Sequence, residues 1–86
     1  MAKILKFSAP HCGQCAALET RLDKEHIEHE NIDCTSDDGA ALAEKLGIHN
    51  VPVIIVLNED DTVQARYNNL GEAIANIEML RQIANS

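Results

Sequence analysis

The chain has 86 residues, 14 of them acidic and 7 basic, for a formal net charge of −7. That balance excludes nucleic-acid backbones as natural partners and suits a soluble protein or one that docks on basic surfaces. The length supports one domain, residues 1–86, which buries about 60–65% of its unfolded surface; no stretch is long and apolar enough to span a membrane.

Phe7 and Tyr67 are the aromatic residues, so the core has to be built from Ile, Leu, Val and Ala. The opening Met1-Ala2-Lys3-Ile4-Leu5 runs directly into apolar residues without the long apolar stretch and small-residue cleavage site of a signal peptide. Three cysteines are too few, and of the wrong parity, for a disulfide-stapled secreted scaffold. A cytoplasmic, reducing setting is therefore the expectation.

Lys3 to Phe7 reads as a first strand, with Leu5 and Phe7 alternating with Lys6 and Ile4 breaking the period. Pro10 then ends any ladder. From Gly13 to about Glu25 the pattern turns helical, and Cys15, Leu18 and Leu22 fall on one stripe. Ile27 to Asp33 is a weakly apolar second strand that suits a sheet edge. Thr35-Ser36-Asp37-Asp38 caps a second helix running from Asp38 to about Leu46, with Gly47 where a left-handed cap belongs.

Val53 to Leu57 is five apolar residues in a row, a central strand covered on both faces. After a turn at Asn58-Glu59-Asp60-Asp61, Thr62 to Tyr67 alternates as a half-buried strand does, and so short a connection makes an antiparallel hairpin. Asn68-Asn69-Leu70-Gly71 opens a last helix reaching about Ala84, with Ala73, Ile77, Leu80 and Ala84 on one stripe. The order β-α-β-α-β-β-α predicts one four-stranded sheet with helices on both faces.

The chemistry concentrates in Ala9-Pro10-His11-Cys12-Gly13-Gln14-Cys15-Ala16. A Cys-x-x-Cys between a strand and a helix reads as a redox pair. The helical stripe turns Cys15 toward the core and leaves Cys12 at the helix mouth, facing out. Cys12, Cys15, His26 and His29 also give a superficially zinc-like spacing, but shorter than a finger's and inside a β-α-β pattern. His26 and His29 read instead as solvated histidines among Glu25, Glu28 and Glu30. His11 borders Cys12 and could stabilise its thiolate as an imidazolium or be a plain loop residue. Cys34 is expected to be a passive small hydrophobe rather than a third redox or glutathionylation site, and Lys6 a sheet-edge or snorkelling residue rather than a catalytic one.

The element order, with Cys-x-x-Cys after the first strand and a proline opening the third, resembles the thioredoxin fold in its minimal, glutaredoxin-sized form. Phe7 to Cys15 is similar to the approach and active site of small thioredoxin/glutaredoxin-like proteins, Asn31-Ile32-Asp33 to the end of the second core strand, and Leu46 to Val53 to the segment around the family's cis-proline. The resemblance implies an α/β, thioredoxin-like fold with a four-stranded mixed sheet. It implies catalysis by Cys12 as attacking and Cys15 as resolving cysteine, with Pro52 as a cis-proline opposite the pair and Val51 presenting its backbone to an extended substrate. A cis X-Pro bond is a minority state, about 5–6% of such bonds, so this expectation is sharp.

No cofactor is implied beyond the reversible Cys12–Cys15 disulfide. The expected partners are protein disulfides and a reductase such as thioredoxin reductase, with glutathione less favoured; a monomer is expected. Thiolate, not thiol, attacks a disulfide. Lowering the Cys12 pKa by two units requires about 2.7 kcal/mol, more than the roughly 0.3–2 kcal/mol a helix terminus supplies, so hydrogen bonds to the sulfur have to make up the rest.

The chain departs from thioredoxins at Gln14, which replaces the proline between the cysteines, at His11, which replaces tryptophan, and at Lys6, which stands where thioredoxins carry a buried acid assisting Cys15. Asn68-Asn69-Leu70-Gly71 does not match the glutathione site of glutaredoxins. The reading that follows is a thiol–disulfide oxidoreductase acting on protein disulfides. The alternatives are a glutathione-coupled glutaredoxin, a hydrogen donor to ribonucleotide reductase, or a metal- or iron–sulfur-binding module on the same fold.

Overall fold

The computed structural model describes residues 2–86. Its elements run β1 (Lys3–Ser8), α1 (Gly13–Lys24), β2 (Glu30–Asp33), α2 (Asp37–Lys45), β3 (Val53–Leu57), β4 (Val63–Tyr67), α3 (Leu70–Ala75) and α4 (Ile77–Ala84). The four strands form one mixed sheet in the order β2-β1-β3-β4, with β1 parallel to β2 and antiparallel to β3, and β3 antiparallel to β4. This is the α/β architecture with a four-stranded mixed sheet that the resemblance implies. None of the described helices is long and apolar enough to cross a membrane.

Two apolar layers cover the sheet. One gathers Ile4, Leu18, Leu22, Ile27, Ile54, Val56, Ala73, Ile77 and Leu80, so α1, α3 and α4 lie on that face. The other gathers Leu5, Phe7, Ala43, Ile48, Val53 and Ile55 beneath α2. Ile4 therefore does not break a period: β1 is central and covered on both sides, with Ile4 facing one layer and Leu5 and Phe7 the other. Lys6, two residues after Ile4, points toward the α1 layer. It is 3% exposed, neither at a sheet edge nor snorkelling to water.

The turns between elements follow from local chemistry. α1 ends in a Schellman motif, in which His26 takes a left-handed φ of 58° while Ile27 N–H donates to Leu22 O at 2.9 Å and His26 N–H to Asp23 O at 3.1 Å. Ile27 then drops its side chain into the core beside Leu22. The apolar signal at Ile27 thus belongs to a helix cap, and β2 begins at Glu30, three residues later than the sequence pattern suggests. α2 repeats the motif with Gly47 at φ 67°, Gly47 N–H on Glu44 O and Ile48 N–H on Ala43 O.

The last helix is two. Asn76 interrupts it with φ −111° and ψ 21° while its Nδ2 donates to Glu72 O at 2.8 Å. A side chain that hydrogen-bonds a nearby carbonyl competes with the helical ladder, which is why Asn breaks a stripe that Ala73, Ile77 and Leu80 otherwise carry across the interruption. Val63 also departs from its pattern, being 48% exposed; it lies beyond an irregularity in the β3–β4 register between Val56 and Leu57.

Candidate active site

Cys12 is the N-cap of α1. Its backbone is extended, its carbonyl accepts from Ala16 N–H at 3.1 Å, and its Sγ accepts from Cys15 N–H at 3.1 Å. A sulfur has taken the place that a Ser or Asp oxygen fills in an ordinary cap. One of the orphan amides at the positive end of a 12-residue helix is aimed at it. Cys12 and Cys15 form a disulfide with their Cα atoms 5.2 Å apart. Their environments differ as the helical stripe requires: Cys15 is 3% exposed, on the same buried face as Leu18 and Leu22, while Cys12 is half-buried at the rim.

The pair opens on a cavity of about 730 Å³ lined by residues of β1, the loop after it, α1 and β2, among them Lys6, Ser8, His11, Glu19 and Asn31. Ser8 Oγ donates to Asn31 Oδ1 at 2.9 Å across the parallel β1–β2 pair. His11 is exposed and holds a left-handed φ of 63°, a conformation in which a non-glycine residue is uncommon.

A charge cluster lies one helical turn beyond Cys15, with two buried side chains, Lys6 and His29, on a half-exposed Glu19. Lys6 Nζ donates to Glu19 Oε1 at 2.9 Å. His29 Nε2 lies 3.0 and 2.9 Å from the two Glu19 oxygens, and His29 Nδ1 lies 2.8 Å from Ile27 O. The Lys6 and His29 side chains are 4% and 7% exposed. Burial pushes the Glu19 carboxyl up, but hydrogen bonds from His29 and Lys6, together with the charges on both, outweigh it and hold the group below the usual carboxylate range. Each His29 ring nitrogen thus lies against an acceptor, the Ile27 carbonyl on one side and the Glu19 carboxylate on the other.

Pro52 follows a cis Val51–Pro52 bond, the conformation the resemblance implies, and is fully buried; Val51 is half-buried. Because Val53 pairs with Phe7 in the antiparallel β1–β3 ladder, the Val51–Pro52 segment reaches the end of the sheet from which the Cys12 loop departs. Neither residue lines the cavity that holds His11, Cys12 and Cys15. Arg66 braces the approach to this segment, donating to Leu46 O at 2.6 Å and Gly47 O at 3.1 Å.

Cys12, Cys15, His26 and His29 do not converge. Among the described residues, the group of potential ligands that does is Glu19, Asp23 and His29, within 4.8 Å of one another. His26 is exposed, as a solvated histidine should be, but His29 is not solvated: it is buried against Glu19. Cys34 follows β2, donates its N–H to Ser8 O at 2.9 Å and packs half-buried against the α2 layer; burial, with the Asp33 charge beside it, pushes its thiol up. Glu19 was not legible as part of the site. The signal lay in the spacing, for Glu19 follows Cys15 by one helical turn and is opposite in sign to Lys6, the one charged residue inside the first strand's apolar run.

A family model described as Thioredoxin matches residues 2–81 of the chain. No curated protein matches the sequence. Among solved structures, the short form of thioredoxin f from spinach chloroplast is 24% identical, with a TM-score of 0.77 over 99% of this chain and 77% of that one. Thioredoxin 1 from Thermosipho africanus is 23% identical, with a TM-score of 0.69 over 98% of this chain and 99% of that one. A thioredoxin f2 in a complex with ferredoxin:thioredoxin reductase is similar at 22% identity and a TM-score of 0.71, over 93% of this chain and 77% of that one.

Proposed function

The chain belongs to the thioredoxin family, and we propose that it is a dithiol reductant of protein disulfides in which Cys12 attacks and Cys15 resolves. The observation that carries this reading is the unequal setting of one bonded pair. The Cys12 sulfur caps a helix at the rim of an open cavity, and the Cys15 sulfur sits buried behind it.

In the reduced protein the Cys12 thiolate draws on the Cys15 N–H and the positive helix end. It attacks one sulfur of a substrate disulfide. A Cys12–substrate S–S bond forms, the substrate's own S–S bond breaks, and the departing thiolate takes a proton from water. Cys15 then loses its proton, and its thiolate attacks Cys12 Sγ. The Cys12–Cys15 bond forms and the second substrate thiolate leaves, so two electrons have passed from the protein dithiol to the substrate. Val51, before the buried Pro52, offers its backbone to an extended substrate segment, and His11 lines the cavity beside Cys12.

The electron donor in this reading is a reductase, a class supported by the complex that the similar thioredoxin f2 forms. Glutathione is disfavoured because Asn68 and Asn69 are already engaged: Asn68 Oδ1 accepts from Arg66 Nε at 2.5 Å, and Asn69 Oδ1 accepts from Glu72 N–H at 2.8 Å to cap α3. The free, half-buried Cys34 fits a reducing, cytoplasmic setting.

The test is reduction of insulin by the wild type and by Cys15→Ser, with thioredoxin reductase and, separately, with glutathione and its reductase. The wild type is expected to turn over with the first system, and Cys15→Ser to stop at a mixed disulfide detectable by mass. Free turnover by Cys15→Ser would refute the assignment of roles.

A further inference from the structure

Among the described residues, Lys6 is the charged residue most fully withdrawn from solvent, and it lines the same cavity as the disulfide. Exchange chemistry at Cys12 does not need it. A buried ammonium costs several kcal/mol of desolvation unless paired, and here it has one carboxylate, Glu19, which it shares with His29. Glu19 follows Cys15 by one helical turn, which puts their Cβ atoms roughly 5–6 Å apart on one face of α1. The buried cation bound to Glu19 therefore shares the cavity with the Cys15 sulfur, its partner carboxylate one helical turn along α1.

We propose that the Lys6 ammonium, fixed by Glu19 and through it by His29, is the charge that sets the ionisation of Cys15 and so governs the resolving step. The proposal rests on the reading of Cys15 as the resolving thiol. A buried thiol on an apolar stripe resists ionisation. A cation behind it reverses that bias, so the Cys15 proton leaves to water through the open cavity with no side chain acting as base, and the thiolate forms the Cys12–Cys15 bond as the substrate thiolate departs.

The charged and titratable groups that share the cavity with Cys15 are Lys6 from β1, Glu19 from α1, Cys12 at its N-cap and His11 from the loop before it, with His29 held on Glu19. From α3, which packs against α1, Glu72 is tied to Asn68 and Asn69 at its own helix start. Lys6 and Glu19 thus act on Cys15 with opposite signs while holding each other in place. Asp23 completes a three-residue ligand group with Glu19 and His29, but the contacts of Lys6 and His29 already occupy Glu19.

The opposition of sign supplies the test. In a Cys12→Ser, Cys34→Ser background the remaining thiol is Cys15, and its ionisation is followed by thiolate absorbance at 240 nm against pH, with no substrate needed. Lys6→Met is expected to raise the Cys15 midpoint by about one unit, at the low end of what a neighbouring opposite charge does. Glu19→Gln is expected to lower it, and Lys6→Arg to keep it near the wild-type value.

With both cysteines present, Lys6→Met should slow release from the mixed disulfide about tenfold at neutral pH. The first attack, measured in Cys15→Ser, should stay unchanged. A residue that only supports the fold would move Lys6→Met and Glu19→Gln in the same direction. Midpoints that shift together, or that stay within a few tenths of a unit in all variants, would overturn the proposal. Should Lys6→Met fail to fold, Glu19→Gln and Lys6→Arg decide it by the same criteria. Correct midpoints in a protein that does not exchange disulfides would instead overturn the oxidoreductase reading and leave the charge assignment standing.

Discussion

Replacing Gly39 with alanine should destabilise the protein, although alanine is the better helix former. Gly39 is the third residue of α2, and its N–H donates to the Ser36 Oγ that caps the helix, at 3.0 Å. The same Ser36 donates N–H and Oγ to Asp33 O at 3.1 and 2.7 Å, which folds the helix start tightly onto the end of β2. A Cβ on Gly39 overlaps the Asp33 carbonyl oxygen and comes within 2.7 Å of its carbon and 2.8 Å of Ser36 Oγ. These are backbone and cap atoms, so relief requires moving α2 or breaking its cap. Overpacking of this kind costs about 1–3 kcal/mol, set against about 1 kcal/mol of helix propensity gained. The net loss is up to about 2 kcal/mol, or as much as roughly 8–16 °C in Tm for a domain of this size. Gly13→Ala is the control, since its Cβ meets nothing within 4 Å at the first position of α1; it should gain roughly 0.5–1 kcal/mol. Thermal and urea unfolding of the oxidised proteins, followed by helical circular dichroism, measures both. A Gly39→Ala midpoint at or above wild type would refute the packing argument, as would two shifts of the same sign.

His26→Gly should stabilise by up to about 1 kcal/mol, because a left-handed residue costs about 1–2 kcal/mol and the added chain entropy of glycine returns roughly 0.5–1; a lowered urea midpoint would count against the Schellman cap as the governing feature. Arg66→Ala removes two donors from the Leu46 and Gly47 carbonyls at an exposed position, so a loss of about 0.5–1 kcal/mol is expected, with faster amide exchange at Gly47 and Ile48 as its local sign. The Glu19 carboxyl titrates below its ordinary value in the fold, so the unfolded chain binds the proton more readily: its contribution to stability is complete above the normal carboxylate range and fades as pH falls through the folded value. Urea midpoints measured from about pH 6 to about pH 3 should fall more steeply for the wild type than for Glu19→Gln. The raised Cys34 thiol predicts slower alkylation by iodoacetamide than a free cysteine shows at the same pH, and no loss of disulfide exchange in Cys34→Ala.

What could be read from the sequence was what local patterns encode. The Cys15–Leu18–Leu22 stripe, the apolar run Val53–Leu57, the cap at Gly47 and the bonding of Cys12 to Cys15 each depend on neighbours a few residues apart. The errors fell where one signal serves two structures. Ile27 is equally apolar as a strand residue or as the hydrophobic closure of a helix cap, and the position of His26 at φ 58° decides for the cap. Asn76 sits inside a continuous stripe, and the break comes from its side chain's bond to Glu72 O, which periodicity does not register. Lys6 and His29 were misplaced for one reason. Each was judged by its own sequence neighbours, whereas burial of each is made tolerable by Glu19, 13 and 10 residues away on a different element.

That difference bears on how the site can be tuned. The Cys12 sulfur takes its hydrogen bond from the backbone of α1, a donor no side-chain substitution removes while the helix persists. The Cys15 sulfur shares its cavity with Lys6 and Glu19, and on the proposed reading the charge that acts on it comes from β1 through a residue on α1. If Cys12 attacks and Cys15 resolves as proposed, the two halves of disulfide exchange come under separate control, one by the helix and one by the strand. Changes at residues 6 and 19 should act on resolution, changes that fray the first turn of α1 on attack, and the two sets should combine additively in free energy so long as the cap of α1 is intact.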